Sequence, residues 1–320
     1  MVNSKLIKKL YYQMFRIRQI EYKISNLYHA QQMRCPVHLS IGQEGVAVGV
    51  CSAIKKSDRI FSAHRSHAHY LAKGGDLKSM ISELYGKVTG CAKGLGGSMH
   101  LFDLDAGLIA AVPIVGSTIP MAAGYAWSNK LKSKKIITVV FFGEGATETG
   151  VFHESLNFAS LHNLPILFVC ENNLYSVYTH INKRQSLDRN LKMNVESFGI
   201  KYDESNGNDV LKVNLLTTKA VNYINKNNKP VFLKFDTYRT LEHCGPNNDD
   251  HLNYRNEIEI LKWKKNCPLE FIKKIIKLKK IKIDFDKFEK KIEKEIEDAF
   301  IYAIKSKYPS KKYLKKFIYS

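Results

Sequence analysis

The segment at residues 136–178 constrains the fold more than any other part of the chain. Its parts at 136–142 and 164–170 are short apolar runs rich in β-branched and aromatic residues, which is typical of buried strands. Between them, residues 150–161 carry apolar side chains at roughly helical spacing. Such a strand–helix–strand unit joins two parallel strands by a right-handed crossover, and parallel strands are buried on both faces. The segment predicts an α/β fold with a mainly parallel sheet and helices on both faces.

Polar residues stand at the carboxyl ends of both predicted strands. GEGA at 143–146 ends the first strand, and ENN at 171–173 ends the second. Ligands of open α/β sheets bind beyond the carboxyl ends of the strands, so we expect Glu144 and Asn173 to converge on one ligand. Hard oxygen donors suit Mg2+, and the small residues after Glu144 leave backbone N–H groups open to a diphosphate. A strand-end glycine turn followed by an Asn-rich loop is the alternative that GEG alone leaves open.

The passage from GEG at 143–145 to NN at 172–173 resembles the thiamine diphosphate-binding motif, which runs from GDG to NN. Neighbouring segments, among them HLSIGQEG at 38–45 and GLGGSMH at 94–100, make the chain similar to the alpha subunit of 2-oxo acid dehydrogenases of the pyruvate and acetoin type. The likeness covers about residues 11–303. It implies the thiamine diphosphate-binding fold, the cofactors thiamine diphosphate and Mg2+, and oxidative decarboxylation of a 2-oxo acid, most simply pyruvate, with acyl transfer to a lipoyl group.

This resemblance also assigns roles to individual residues. The expected metal ligands are Glu144, Asn173 and Tyr175, the last through its backbone carbonyl. The expected catalytic or substrate-positioning residues are His100, in the glycine-rich loop, and His243, in the loop at 238–246. The residues expected to bind the cofactor are His64, Arg65, Val115, Gly143, Gly145, Ala146, Asn173, Tyr175 and His243.

The residues alone also allow other interpretations of several of these positions. Three histidines at 64–69 could be read as zinc ligands, although no cysteine or carboxylate nearby completes a set. Arg65 could form a surface salt bridge, and His100 could be a structural histidine with satisfied hydrogen bonds. Gln43 and Glu44 are interpreted as first-turn residues of a helix and not as catalytic groups.

The chain departs from the family pattern at three positions. Glu144 replaces the usual aspartate by a side chain one methylene longer, which keeps the charge and the hard oxygens. Pro113 stands where glycine is frequent, so one backbone contact to the cofactor is in doubt. Cys244 occupies the position of the serine that is phosphorylated in mitochondrial members, which argues against that form of control.

The chain of 320 residues is predicted to form a single domain. An apolar stripe predicts an N-terminal helix over residues 4–32, and the core is expected at about 35–240. Within it, a turn at 206–209 precedes a predicted helix and a strand at 231–237. A lysine-rich amphipathic extension at about 255–308 is predicted to be helical.

Composition narrows the class and compartment of the protein. The formal net charge is +20, but the lysines are spread along the chain, so we expect no nucleic-acid binding. No apolar run reaches the roughly 18 residues of a membrane span, and no signal peptide is evident. Six cysteines without C-x-x-C spacing are expected to be reduced, which favours the cytoplasm.

The resemblance predicts partners as well. A beta subunit would supply the glutamate that activates the cofactor and would form a heterotetramer of two alpha and two beta chains, and a lipoyl-bearing acyltransferase would accept the acyl group. Two other functions stay open, an acetoin-cleaving or carboligating enzyme that uses the same cofactor, and a cofactor-binding partner without activity. The residues do not identify the 2-oxo acid, because the beta subunit forms part of the acyl pocket.

Overall fold

The computed structural model describes residues 3–316, and a parallel sheet lies at its centre. Its strands are β1 (Arg59–Ser62), β2 (Leu108–Ala111), β3 (Thr138–Gly143), β4 (Ile166–Asn172), β7 (Lys201–Asn206) and β8 (Val231–Asp236), while β5 (Tyr175–Ser176) and β6 (Thr179–His180) form a separate hairpin. The sheet order is β2-β1-β3-β4-β8-β7, and every neighbouring pair is parallel. The predicted α/β class is confirmed.

Helices precede, connect and follow the strands. They are α1 (Ser4–Tyr28), α2 (Glu44–Cys51), α3 (His67–Lys73), α4 (Leu77–Leu84), α5 (Thr118–Leu131), α6 (Gly150–Leu161), α7 (Leu191–Glu196), α8 (Val210–Asn227), α9 (Glu257–Lys265), α10 (Pro268–Leu278), α11 (Phe285–Lys305) and α12 (Lys311–Lys316). Short 3-10 turns occur at residues 144–148, 181–183 and 250–252. None of the helices within residues 3–316 is both long enough and apolar enough to cross a membrane.

The side chains of β3 show why helices cover both faces of the sheet. Val139 and Phe141 join a hydrophobic cluster formed with α1, α2, α4, α8 and α11. Val140 and Phe142 point the opposite way and join a second cluster formed with α5 and α6. Successive strand residues alternate between faces, so a strand that is apolar at every position needs a covering layer on each side.

The strands of the central segment lie one or two residues later than the apolar runs: β3 covers Thr138–Gly143 and not 136–142, and β4 covers Ile166–Asn172 and not 164–170. Helix α6 covers residues 150–161, as predicted. Strand β4 runs on to Asn172, because Glu171 pairs in register with Phe235 and Asn172 with Asp236. The Asn172 side chain also donates to Asp236 at 2.8 Å. Glu171 and Asn172 are therefore strand residues, and only Asn173 begins the loop.

The C-terminal extension packs against the start of the chain. Arg16 on α1 forms an ion pair with Glu295 on α11 at 2.6 Å. The Tyr11 ring meets Phe285 edge-on, with centroids 5.4 Å apart. The apolar stripe of α11, which includes Ile292, is fully buried. The extension is helical as predicted, and α4 together with α1 covers the apolar face of α11.

Candidate active site

One cleft opens at the carboxyl ends of the sheet strands. The loops that follow β1, β2, β3, β4 and β8 all contribute to it, which is the position expected for a ligand in an open α/β sheet. Its lining residues are Gln43, Ala63, His64, Arg65, His69, Pro113, Val115, Gly116, Thr118, Phe142, Gly143, Glu144, Gly145, Ala146, Glu171, Asn173, Tyr175, Ser176 and His243. Every residue that was predicted to bind cofactor or metal is among them.

Glu144 is a buried carboxylate of this cleft. Its side chain is only 4% exposed, and Arg184 Nη2 lies 2.5 Å from its Oε1. Burial raises the pKa of Glu144, while Arg184 and the backbone of Asn173 act in the opposite direction. Arg184 also contacts Glu148, which follows in the same turn. The negative charge of Glu144 is thus balanced by Arg184, which belongs to the segment after the β5–β6 hairpin.

Asn173 and Tyr175 form a tight turn beside Glu144. The Tyr175 backbone N–H donates to Asn173 Oδ1 at 3.1 Å, and Leu174 between them has a positive φ of 71°. The Asn173 side chain donates to Gln43 Oε1 at 3.4 Å. The Tyr175 hydroxyl donates to Glu259 on α9 at 3.0 Å, which anchors the ring. These bonds hold the backbone between Asn173 and Tyr175 at the edge of the cleft.

Arg65 is a buried cation that has no carboxylate among its hydrogen-bond acceptors within residues 3–316. Its guanidinium donates to the carbonyl oxygens of Leu39 at 2.6 Å and His243 at 3.1 Å. Burial and the nearby charge of Arg239 lower the pKa of Arg65 to about 10. Two positive charges so close together favour an anion in the cleft. The surface salt bridge considered for Arg65 is wrong, because the side chain is buried.

Three imidazoles lie next to Arg65. The ring centroids of His38, His64 and His243 are 4.8 to 5.2 Å apart, and one nitrogen from each lies within 4.8 Å of the others. Burial, followed by the charge of Arg65, lowers the pKa to about 3 for His38, about 2 for His64 and about 4 for His243. The same positive field opposes a metal cation at this trio. Neutral N–H donors beside an arginine suit a phosphate group.

The loop that carries His243 is held by buried charges. Asp249 lies between Arg239 and Arg255, and it contacts Arg239 Nη1 at 3.4 Å. All three side chains are nearly inaccessible to solvent. The Gly245 N–H adds a bond to the Val37 carbonyl at 2.8 Å. His243 therefore meets His38 and Arg65 from a loop that lies 178 residues after Arg65 in the chain.

The remaining histidines of the 64–69 segment serve other contacts. His67 lies 3.3 Å from Glu21 and 2.8 Å from the hydroxyl of Ser98. His69 lines the cleft between Glu171, at 3.2 Å, and the hydroxyl of Ser62, at 2.8 Å. The three histidines do not converge on one point, which argues against the zinc site considered from their spacing.

His100 lies outside the cleft lining. Its side chain is exposed, and Nδ1 is 2.8 Å from the Gly96 carbonyl. The glycine-rich loop before it is organised by Glu83 on α4, whose carboxylate accepts four backbone N–H groups at 2.8 to 3.0 Å. The donors are Ala92, Gly94, Gly96 and Gly97. These N–H groups therefore bind an internal carboxylate.

Several cleft residues were not singled out from the sequence for a role there. His38, Gln43, His69 and Glu171 lie in or beside the cleft, and Arg184 reaches Glu144 from a polar loop. His38, Gln43, His69 and Glu171 stand in or next to a recognised motif, which is a signal that could have found them, whereas Arg184 has no such neighbour. Gln43 was interpreted only as a first-turn residue, and it does precede α2, which begins at Glu44. Its contact to Asn173 depends on the tertiary fold.

Comparison with known proteins adds to this geometry. The family model described as "Dehydrogenase E1 component" matches residues 12–312. The chain is 34% identical to pyruvate dehydrogenase E1 component subunit alpha-3, chloroplastic, of Arabidopsis thaliana, over 96% of this chain and 72% of that one. It is 39% identical to the alpha subunit of acetoin:2,6-dichlorophenolindophenol oxidoreductase of Bacillus subtilis, over 73% and 70%. It is 33% identical to the pyruvate dehydrogenase E1 alpha subunit of Rickettsia bellii, over 97% and 95%.

Proposed function

Because the chain belongs to the dehydrogenase E1 component family, we propose that it is the alpha subunit of a thiamine diphosphate-dependent 2-oxo acid dehydrogenase that acts on pyruvate. The observation that carries this proposal is the cleft, in which Glu144, Asn173 and Tyr175 lie on one side and Arg65 with His243 on the other. The relatives named as pyruvate dehydrogenase alpha subunits match almost the whole chain.

The cleft fits the diphosphate end of thiamine diphosphate. Arg65 and the neutral imidazoles of His64 and His243 supply donors and positive charge. Gly143 and Gly145 have no side chain, and a Cβ on Gly145 would approach Ser176 to 3.3 Å. Small residues at this turn leave room for phosphate oxygens close to the backbone.

Mg2+ is the metal that we propose for Glu144, Asn173 and the Tyr175 carbonyl. The donors are a carboxylate, a carboxamide and a backbone carbonyl, which are hard oxygen ligands, and phosphate oxygens complete such a set. Burial makes the Glu144 carboxylate costly without a countercharge, which Arg184 supplies in this structure and which a divalent metal would supply when bound. The longer glutamate in place of aspartate keeps this chemistry.

The bound thiazolium supplies the carbon nucleophile that attacks the 2-oxo acid and allows carbon dioxide to leave. The residues of this chain bind and orient the cofactor around that step. Arg65 would hold phosphate, Ala146 would offer its backbone N–H to the diphosphate, and Val115 would support the cofactor as an apolar wedge. His243, neutral because of its lowered pKa, is proposed to donate a hydrogen bond to cofactor or substrate.

The beta subunit of this family completes the enzyme. Two apolar side chains at the mouth of the cleft are open to solvent, Ile114 at 70% and Val115 at 56%. Exposed apolar residues that adjoin a binding site mark a surface for a partner. We propose that the beta subunit covers them in a heterotetramer of two alpha and two beta chains, and that a lipoyl-bearing acyltransferase takes up the acyl group.

The test combines the purified chain with its beta subunit, thiamine diphosphate and Mg2+. Reduction of an artificial electron acceptor should require pyruvate, and transfer of acetyl to an added lipoyl domain should follow. Absence of cofactor binding by the assembled subunits would overturn the proposal and favour a partner without activity. Acetoin is the second substrate for the same assay, because the relative with 39% identity is named for it. Turnover of acetoin without turnover of pyruvate would favour the acetoin-cleaving function.

A further inference from the structure

Arg184 is wedged between two carboxylates at the carboxyl end of β3. Its Nη2 lies 2.5 Å from Glu144 Oε1, and its Nη1 contacts Glu148 Oε1. Its Nε donates to the Thr179 carbonyl at 3.1 Å, and the side chain is only 12% exposed. The guanidinium therefore neutralises Glu144 from a position that is fixed by three separate contacts.

The same carboxylate is the proposed metal ligand, so two cations compete for it. Mg2+ binds carboxylate oxygens at roughly 2.1 Å, and the Glu144 oxygen on the Arg184 side already accepts a charged N–H donor. Two cations brought to one carboxylate oxygen repel each other strongly in a poorly hydrated site. We propose that Arg184 is the counter-cation of Glu144 in the metal-free chain, and that the divalent metal displaces it. This inference rests on the proposed function, because it needs a metal at Glu144.

The surroundings give the displaced guanidinium a place to remain. Glu148 keeps its contact to Arg184 and also accepts from the Gln185 side chain at 2.8 Å. Further along the same segment, Arg189 donates to the Thr147 carbonyl at 2.6 Å. Arg184 can leave Glu144 and stay paired with Glu148. Metal binding then exchanges one cation for another on Glu144, while the segment that carries Arg184 stays in place. The affinity for the metal then depends partly on the strength of the ion pair between Arg184 and Glu144.

The test measures metal binding directly, with Mn2+ as a paramagnetic substitute for Mg2+. Free Mn2+ is followed by electron paramagnetic resonance during titration of the alpha chain with its beta subunit and saturating thiamine diphosphate. R184Q removes the competing cation, so the Kd for Mn2+ should fall by roughly three- to tenfold. R189Q is the matched control, because Arg189 lies in the same segment but contacts a backbone carbonyl and not Glu144. Its Kd should stay within about twofold of the wild-type value.

Thermal unfolding supplies a second measurement that does not depend on catalysis. Without metal, R184Q should lower the Tm, because it leaves a buried carboxylate unpaired. The difference should vanish at saturating Mg2+ and thiamine diphosphate. On an E144Q background, R184Q should cause a smaller drop, because only the contacts to Glu148 and the Thr179 carbonyl remain to be lost.

Three outcomes would contradict the inference in different ways. Weaker Mn2+ binding by R184Q would mean that Arg184 holds the cofactor, and the displacement would be wrong. Equal tightening in R184Q and R189Q would indicate a general charge effect, which also overturns the specific pairing. If the wild-type assembly bound no Mn2+, the metal site of the proposed function would fail, and this inference would fail with it.

Discussion

Glu144 combines burial with a single countercharge, which makes its carboxylate sensitive to substitution. We expect Glu144→Ala to weaken Mg2+-dependent binding of thiamine diphosphate by more than about 100-fold, because a hard metal ligand is lost. Glu144→Asp keeps the carboxylate one methylene shorter and should stay within about tenfold of wild type. Calorimetric titration of the cofactor, with and without Mg2+, measures both. Glu154→Ala on the exposed face of α6 is the control. Equal cofactor binding by Glu144→Ala and wild type would remove Glu144 from the site.

The histidine trio should make the stability of the chain depend on pH. In the folded chain the pKa of His64 is about 2 and that of His243 about 4, whereas an unfolded histidine titrates near 6.5. Between these values the unfolded chain binds more protons, so stability is complete above about pH 6.5 and is lost as pH falls. The free energy of unfolding should therefore fall between pH 7 and pH 5, and His64→Gln should remove up to about 2 kcal/mol of that fall.

Urea unfolding of wild type and His64→Gln at the two pH values measures that difference. His29→Gln, at an exposed position on the C-terminal side of α1, is the matched control and should behave as wild type. A loss between pH 7 and pH 5 that is the same in wild type and His64→Gln would mean that His64 is not held neutral by its surroundings.

The sequence was most informative for residues that stand at a strand end or inside a recognised motif. Glu144 and Asn173 were placed together because parallel strands end at one edge of the sheet. His38 and Arg184 were not assigned to the cleft, since each reaches it from a loop whose return path depends on tertiary packing. The role of His100 stays a prediction, because its exposed side chain lies outside the cleft lining.

At the scale of elements, the glycine-rich loop depends on α4. The Glu83 carboxylate is fully buried and accepts four loop N–H groups. Glu83→Gln keeps the shape of the side chain but offers one acceptor oxygen in place of two. The NH2 group of the amide would then face backbone N–H donors of the loop, with which it cannot form hydrogen bonds. We expect the free energy of unfolding to fall by about 2–4 kcal/mol. Tryptic cleavage after the exposed Lys93 should become faster.

Glu154→Gln is the matched control for this substitution, because Glu154 is exposed on α6 and loses the same charge. Unchanged stability and unchanged cleavage in Glu83→Gln would mean that the loop is held by other contacts, such as the one from Ser98 to His67.

Elements with strong periodicity were predicted well, and short ones were not. Helix α6 has the predicted bounds because its start follows a glycine turn and its apolar spacing is regular. Strands β1 and β2 have four residues each, too few for a period of two to stand out from chance. The first helix ends at Tyr28 and not at residue 32, because the chain turns at Gln31, which has a positive φ of 54°.

At the scale of the whole molecule, the α/β class followed from a few apolar runs, while the docking of the extension did not. The stripe containing Ile292 and Ile296 shows that α11 buries one face, but it does not say against what. Helices α4 and α1 provide that surface, and Tyr85 at the end of α4 meets Phe300 of α11 edge-on. Because the extension is fastened to the first helix, we propose that the described chain unfolds as one cooperative domain.

The cleft of this chain is small for a cofactor. Its free volume is about 80 Å3, whereas ligand pockets usually hold roughly 300 Å3 or more. Ile114 and Val115 border it with side chains that are more than half exposed. A cofactor bound here would keep one end in solvent unless a second chain covered it. The geometry agrees with a partner that closes the site, which in this family is the beta subunit.

This arrangement predicts that the chain alone does not decarboxylate pyruvate, and that the beta subunit restores turnover. Ile114→Asp should weaken assembly with the beta subunit at least about tenfold, because a charge would be buried in the contact. Leu278→Asp on α10, where the leucine is 81% exposed, is the matched control and should assemble normally. Analytical ultracentrifugation of each variant with the beta subunit measures assembly, and a pyruvate assay of the same mixtures measures turnover. Full activity of the chain alone would show that the site is complete without a partner, and normal assembly of Ile114→Asp would place the contact elsewhere.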